Sequence, residues 1–241
     1  MRQGFAKTAW GLVALIAIGL MACEKDKVNG KNANGKTSMD AMNELQINDP
    51  HSFAKPSVAL ATHLDLDIVV DFEQQRISGT ATYQINRKDS GNVVIFDTKN
   101  LDIIDVTSPE DTSIGFNLGE NDPILGRALE IQLKPGVKTV KIQYATKASA
   151  AALQWLSPQQ TFGKQHPFLF TQSQAILART WLPCQDGPGM RFTYNATVKV
   201  PSELLAVMSA TNPVERNPEG IYHFEMKQPI PAYLMALAVG D

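Results

Sequence analysis

Between Leu60 and Phe72 the chain alternates strictly. Leu60, Thr62, Leu64, Leu66, Ile68, Val70 and Phe72 fall on one side, and Ala61, His63, Asp65, Asp67, Val69 and Asp71 on the other. A period of two sends successive side chains to opposite faces of an extended strand, so this segment reads as a long strand with one nearly apolar and one mostly polar face. After Glu73-Gln74-Gln75 the same period resumes: Ile77, Gly79, Ala81, Tyr83 and Ile85 alternate with Ser78, Thr80, Thr82, Gln84 and Asn86. The two segments are expected to pair antiparallel.

Further β candidates follow at short spacing: Val93 to Asp97, Leu101 to Thr107, Ala128 to Leu133, Lys138 to Ala145, Phe192 to Val200, Leu204 to Ser209, Ile221 to Met226 and Tyr233 to Val239. Turn sequences such as Ser90-Gly91-Asn92, Pro135-Gly136 and Asn217-Pro218-Glu219-Gly220 separate several of them. No long stretch carries a helical period, and Ala148 to Leu156 is expected to supply a helical turn or two at most. The expected class is all-β, either a sandwich or a large curved sheet.

The amino-terminal part reads differently. Residues 1–22 have the parts of an export signal: Arg2 and Lys7, an apolar run from Ala9 to Met21, and Ala22 before Cys23. The run covers about 13 residues, short of the ~20 that a membrane-spanning helix needs. Leu20-Met21-Ala22-Cys23 looks like the lipobox of bacterial lipoproteins, which makes Cys23 the expected acylation site and membrane anchor; an ordinary cleaved signal with a coincidental cysteine is the competing reading. Several acyl chains together hold a protein on a membrane where one is marginal. The expected location is the bacterial cell envelope, lipid-anchored to a membrane. Residues 23–48 are rich in Lys, Asn, Gly and Asp and have few apolar side chains, so they read as a polar tether.

The folded part is expected over 49–241. With Cys23 acylated, Cys184 has no disulfide partner, and stability must come from a hydrophobic core. A content of 44% hydrophobic and 19% charged residues is adequate for one, and a net charge of -2 leaves no overall basic footprint for nucleic acid.

Elementary chemistry finds no catalytic centre. His51, His63, His166 and His223 are far apart, and no H-E-x-x-H pattern brings two ligands onto one helical turn. There is no G-x-S-x-G elbow. Cys184 reads as a buried structural thiol, and Asp65, Asp67 and Asp71 as a solvated strand face.

The segment Thr171 to Asp186, TQSQAILARTWLPCQD, is not explained by periodicity. It resembles the leukotriene-hydrolase branch of the aminopeptidase N family, the gluzincin metallopeptidases. DPHSFAKP at Asp49 to Pro56, THLDLDIVVDF at Thr62 to Phe72, SGTATY at Ser78 to Tyr83, RFTYNATVKVP at Arg191 to Pro201 and PIPAYLMALAVGD at Pro229 to Asp241 agree with it. The resemblance implies a saddle-shaped, sandwich-like antiparallel β domain, followed in the family by a thermolysin-like catalytic domain that holds zinc. The G-x-M-E-N and H-E-x-x-H motifs of that domain do not occur before Asp241, so this chain is expected to be non-catalytic alone and to hold no metal itself.

The resemblance further implies that Gln172, Ser173, Gln174 and Ala175 form one edge of the pocket for a peptide's amino end. A carboxamide suits this, accepting from an ammonium group and donating to a carbonyl without adding charge. Ser173 departs from the cysteine common in animal members. Arg179, Trp181, Pro183 and Asp186 read as supports of the fold. The competing reading is a stand-alone peptide-binding or structural lipoprotein that kept only this domain.

Overall fold

The computed structural model describes residues 49–88, 91–110 and 112–241. The expected signal segment, Cys23 and the tether lie outside the described residues.

The first two strands among the described residues, β1 (Ala59–Asp71) and β2 (Arg76–Arg87), pair antiparallel from Ala59↔Arg87 to Asp71↔Arg76. The alternation sets this register, with one correction. The ladder shifts between Ala61 and His63, so Ala59 and Ala61 are buried ahead of Leu64, Leu66, Ile68 and Val70, while Leu60 is half-buried and Thr62 exposed. One extra residue in a strand reverses its phase, and Leu60 does not share the inner face with Leu64.

β3 (Val93–Thr98), β4 (Asp102–Thr107), β5 (Phe116–Leu118), β6 (Arg127–Gln132) and β7 (Thr139–Ala145) follow, then β8 (Leu153–Leu156), β9 (Phe168–Thr171), β10 (Arg191–Lys199), β11 (Leu205–Met208), β12 (Ile221–Pro231) and β13 (Leu237–Gly240). They form three sheets, ordered β12-β10-β1-β2-β7-β4, β11-β13-β9-β8 and β3-β6-β5. All neighbours run antiparallel except β1 and β10, which pair in parallel from His63↔Thr193 to Val69↔Lys199.

Two segments differ from expectation. Of the predicted helical turns, Ala150 N and Leu153 N do make i→i-3 bonds to Lys147 O and Ala150 O, but the chain then extends as β8. The partner strand β9 decides this, because four ladder positions from Leu153↔Thr171 to Leu156↔Phe168 outweigh a weak local preference. The segment from Tyr233 starts as a 3-10 turn, Ala232–Leu234, before β13.

The core is aromatic at its centre. Tyr83 lies 4.7 Å from Phe96 and meets Phe192 edge-on at 6.2 Å, centroid to centroid, and all three are fully buried. The Tyr83 hydroxyl donates to Pro183 O at 2.7 Å, which satisfies the polar tip that burial would otherwise strand. Tyr144 is equally buried, yet its hydroxyl has no partner among the described residues.

Candidate functional site

The segment between β9 and β10 passes through the core. Ala178, Arg179 and Thr180 form a buried 3-10 turn, followed by buried Trp181, Leu182 and Cys184. Thr180 Oγ1 donates to Leu177 O at 2.7 Å and accepts from Ala152 N at 3.0 Å, closing the turn and joining it to the start of β8.

Arg179 is fully buried, which an arginine tolerates only when its donors are met. Nε donates to Asp186 Oδ2 at 3.1 Å and Nη1 to Leu125 O at 3.0 Å. Nη2 donates to His51 O at 2.7 Å and Asp186 O at 3.1 Å. Asp97 completes the group: its Oδ2 lies 3.8 Å from Arg179 Nη2 and accepts from Ser52 Oγ and Asp186 N, while its Oδ1 accepts from Phe53 N. One guanidinium thus faces two buried carboxylates and fixes the irregular segment that leads into β1.

Asp186 feels these forces unequally. Burial pushes its carboxyl up to about 6; the Arg179 charge and hydrogen bonds pull it down, and the Asp97 charge adds to the rise. Its Oδ1 is buried with no partner among the described residues, in keeping with a carboxyl that is costly to ionise.

Gln185 closes the bulge in β1. Its Oε1 accepts from Ala61 N at 2.9 Å, and its Nε2 donates to Ala59 O and Ile95 O. Pairing with β10 begins only at His63, so the carboxamide supplies the partners that a neighbouring strand would have given there. Cys184 is buried and free, and burial raises its thiol well above the ordinary range.

Residues on both sides of this segment line an open cavity of about 770 Å³ with mostly apolar walls. Asp49 to His51 form one wall, Gln174 to Ile176 a second and Pro188 to Met190 a third, with Tyr233 beside them. Asp49 Oδ1 accepts from His51 N at 2.9 Å and meets the His51 ring nitrogen Nδ1 at 3.1 Å.

The four residues singled out by resemblance are not equivalent. Gln174 and Ala175 are exposed on the cavity wall, and the peptide bond between them is cis. Gln172 is exposed but does not line the cavity, and its Oε1 accepts from Gln174 N at 3.3 Å. Ser173 points inward and is 3% exposed. The walls from Asp49, Met190 and Tyr233 were not identified from sequence; the blocks DPHSFAKP and PIPAYLMALAVGD contain two of them, but nothing in those blocks marks a wall.

Among the described residues no three His, Cys, Asp or Glu side chains gather to bind a metal ion. Zinc does not fit the residues described.

Residues 60–234 match the family described as the peptidase M1 N-terminal domain. The chain belongs to the peptidase M1 family. It is 39% identical over 204 residues to a leukotriene A-4 hydrolase of Xenopus laevis, covering 80% of this chain and 33% of that protein. It is 37% identical over 196 residues to a leucine aminopeptidase 2 of Yarrowia lipolytica, covering 80% and 30%. The chain thus spans about a third of the length of these M1 relatives.

The native yeast LTA4 hydrolase structure superposes with a TM-score of 0.74 at 34% identity, over 80% of this chain and 31% of that one. An M1 zinc metallopeptidase from Deinococcus radiodurans, at 18% identity and a TM-score of 0.59 over 76% and 42%, shares the fold.

Proposed function

We propose that the chain is the amino-terminal β domain of a lipid-anchored zinc aminopeptidase and lends one edge to its substrate pocket without being catalytic alone. The observation that carries this is the placement of Gln174 and Ala175 on a largely apolar cavity of about 770 Å³. The apolar walls suit a side chain at a peptide's amino end, and the Gln174 carboxamide suits its ammonium or first carbonyl. Zinc, if bound by the complete enzyme, would supply a Lewis acid for the scissile carbonyl.

A neighbouring feature fits a domain packed on this one. Phe170 and Val207, each 37% exposed, align across the β8-β9-β13-β11 sheet with Ala238 between them. A contiguous apolar sheet face is costly to leave bare and suits burial against a following catalytic domain. Acylated Cys23 would hold the assembly at a membrane of the bacterial envelope.

Three measurements test the reading. The purified 241-residue chain is expected to release nothing from an alanyl chromogenic substrate and to retain no stoichiometric zinc; metal-dependent turnover refutes it. Translation of the DNA beyond the Asp241 codon is expected to reveal G-x-M-E-N and H-E-x-x-H, and an enzyme carrying that continuation is expected to show a raised KM on Gln174→Leu. An intact unrelated gene there favours a stand-alone module instead. Cys23→Ser is expected to free the protein from the membrane fraction, and unchanged association rejects the anchor.

A further inference from the structure

Ser173 lies in the middle of the loop that edges the cavity, but neither of its polar ends faces the cavity. Its carbonyl accepts from Leu177 N at 2.8 Å, closing the turn that carries Gln174, Ala175 and Ile176. Its hydroxyl lies 3.1 Å from Trp181 Nε1 and 3.4 Å from Met235 O. The roles are forced: an indole N–H only donates and a carbonyl only accepts, so Ser173 Oγ accepts from Trp181 and spends its single proton on Met235 O.

Met235 closes the 3-10 turn Ala232–Leu234, through its own N–H to Ala232 O, and that turn carries Tyr233. The Ser173 hydroxyl therefore joins two parts of the cavity wall that are distant in sequence, the Gln174–Ile176 wall and Tyr233. Trp181 is fully buried and belongs to the same support as Arg179, so the hydroxyl is held from a rigid base.

We infer that Ser173 is a positioning residue and not a substrate contact: its hydroxyl, oriented by Trp181, sets the spacing between the Gln174–Ile176 wall and Tyr233. Its relevance to peptide recognition rests on the proposed pocket, whereas the tie itself is a property of this chain. Deletion of the hydroxyl leaves the Trp181 indole N–H buried without an acceptor and the Tyr233 turn without its cross-link.

The test uses the full 241-residue chain, isotopically labelled, in solution NMR. Ser173→Ala is expected to speed exchange of the Trp181 indole proton at least tenfold, and to shift the Gln174 side-chain amide, the Ala175 methyl and the Tyr233 ring. Amides of the β3–β6 ladder keep their protection. Ser173→Cys, which retains a donor and an acceptor at the same position, restores most of the parent spectrum. Trp181→Phe, which removes only the indole donor among the polar groups, is expected to displace the same Ala175 and Tyr233 signals, and it serves if Ser173→Ala does not fold.

The inference is overturned if Ala175 and Tyr233 stay in place in the variants, or if exchange accelerates equally throughout the domain. Neither result depends on zinc or turnover, so failure of the aminopeptidase reading and failure of the tie are separately visible.

Discussion

Replacement of Arg179 by methionine tests the buried charge cluster most directly. Arg179→Met keeps a side chain of similar length but deletes the charge and the bonds to Asp186 Oδ2, Asp186 O, Leu125 O and His51 O. Asp97 and Asp186 then remain buried with no cation, and three carbonyls lose a donor. Removal of one partner from a buried ion pair costs about 3 to 5 kcal/mol. For a domain of this size, each kcal/mol lowers Tm by roughly 2 to 4 °C, so a fall of about 6 to 20 °C is expected.

Acidity gives a second reading of the same cluster. The Asp186 carboxyl is raised in the folded chain from 3.8 to about 6, first by burial. A raised carboxyl favours the folded state when protonated: that contribution is full below pH 3.8 and is lost as pH rises through 6. In Arg179→Met the downward pull of the guanidinium is gone, so protonation begins at a higher pH and relieves more. Urea unfolding of parent and variant, followed by tryptophan fluorescence near pH 7.5 and near pH 5, is expected to show a large deficit that narrows at the lower pH. A variant within about 1 kcal/mol of the parent near pH 7.5, or a deficit that does not narrow near pH 5, refutes the reasoning.

Two further perturbations separate satisfied from unsatisfied groups. Tyr83→Phe strands Pro183 O and is expected to cost about 1 to 3 kcal/mol in urea unfolding, whereas Tyr144→Phe removes a hydroxyl with no partner among the described residues and is expected to be neutral or stabilising. Cys184, fully buried with a raised thiol, is expected to react with a thiol reagent only in the denatured chain, and prompt labelling under native conditions contradicts its placement.

The β class and most strands were legible because alternation reports directly which face of a strand is buried. The bulge at Ala61/His63 was not, since one inserted residue leaves the local pattern intact on both sides and changes only the phase between them. Its cause lies in Gln185, whose bonds to Ala59 and Ala61 span more than a hundred positions. β8 and β9 were missed for a related reason. Each is four residues long, and their extended form comes from pairing across the Ser157–Pro167 connection.

At the candidate site, resemblance reached Gln174 and Ala175, but no property of a linear sequence distinguishes the inward Ser173 from its outward neighbours. The Asp49 and Tyr233 walls were hidden because a cavity is defined by chain separation in space, and these walls come from opposite ends of the domain.

The parallel pairing of β1 with β10 has a consequence for biogenesis. The β1–β2 hairpin can close early, but the other edge of β1 waits for β10, about 120 residues later. At a synthesis rate of roughly 5 to 20 residues per second, that edge stays open for about 6 to 24 s. During this interval a long strand with a buried-type face is available to any other nascent chain. Prematurely ended products that stop short of Lys199 are therefore expected to accumulate as aggregates, while those that reach it have the means to seal their own central sheet.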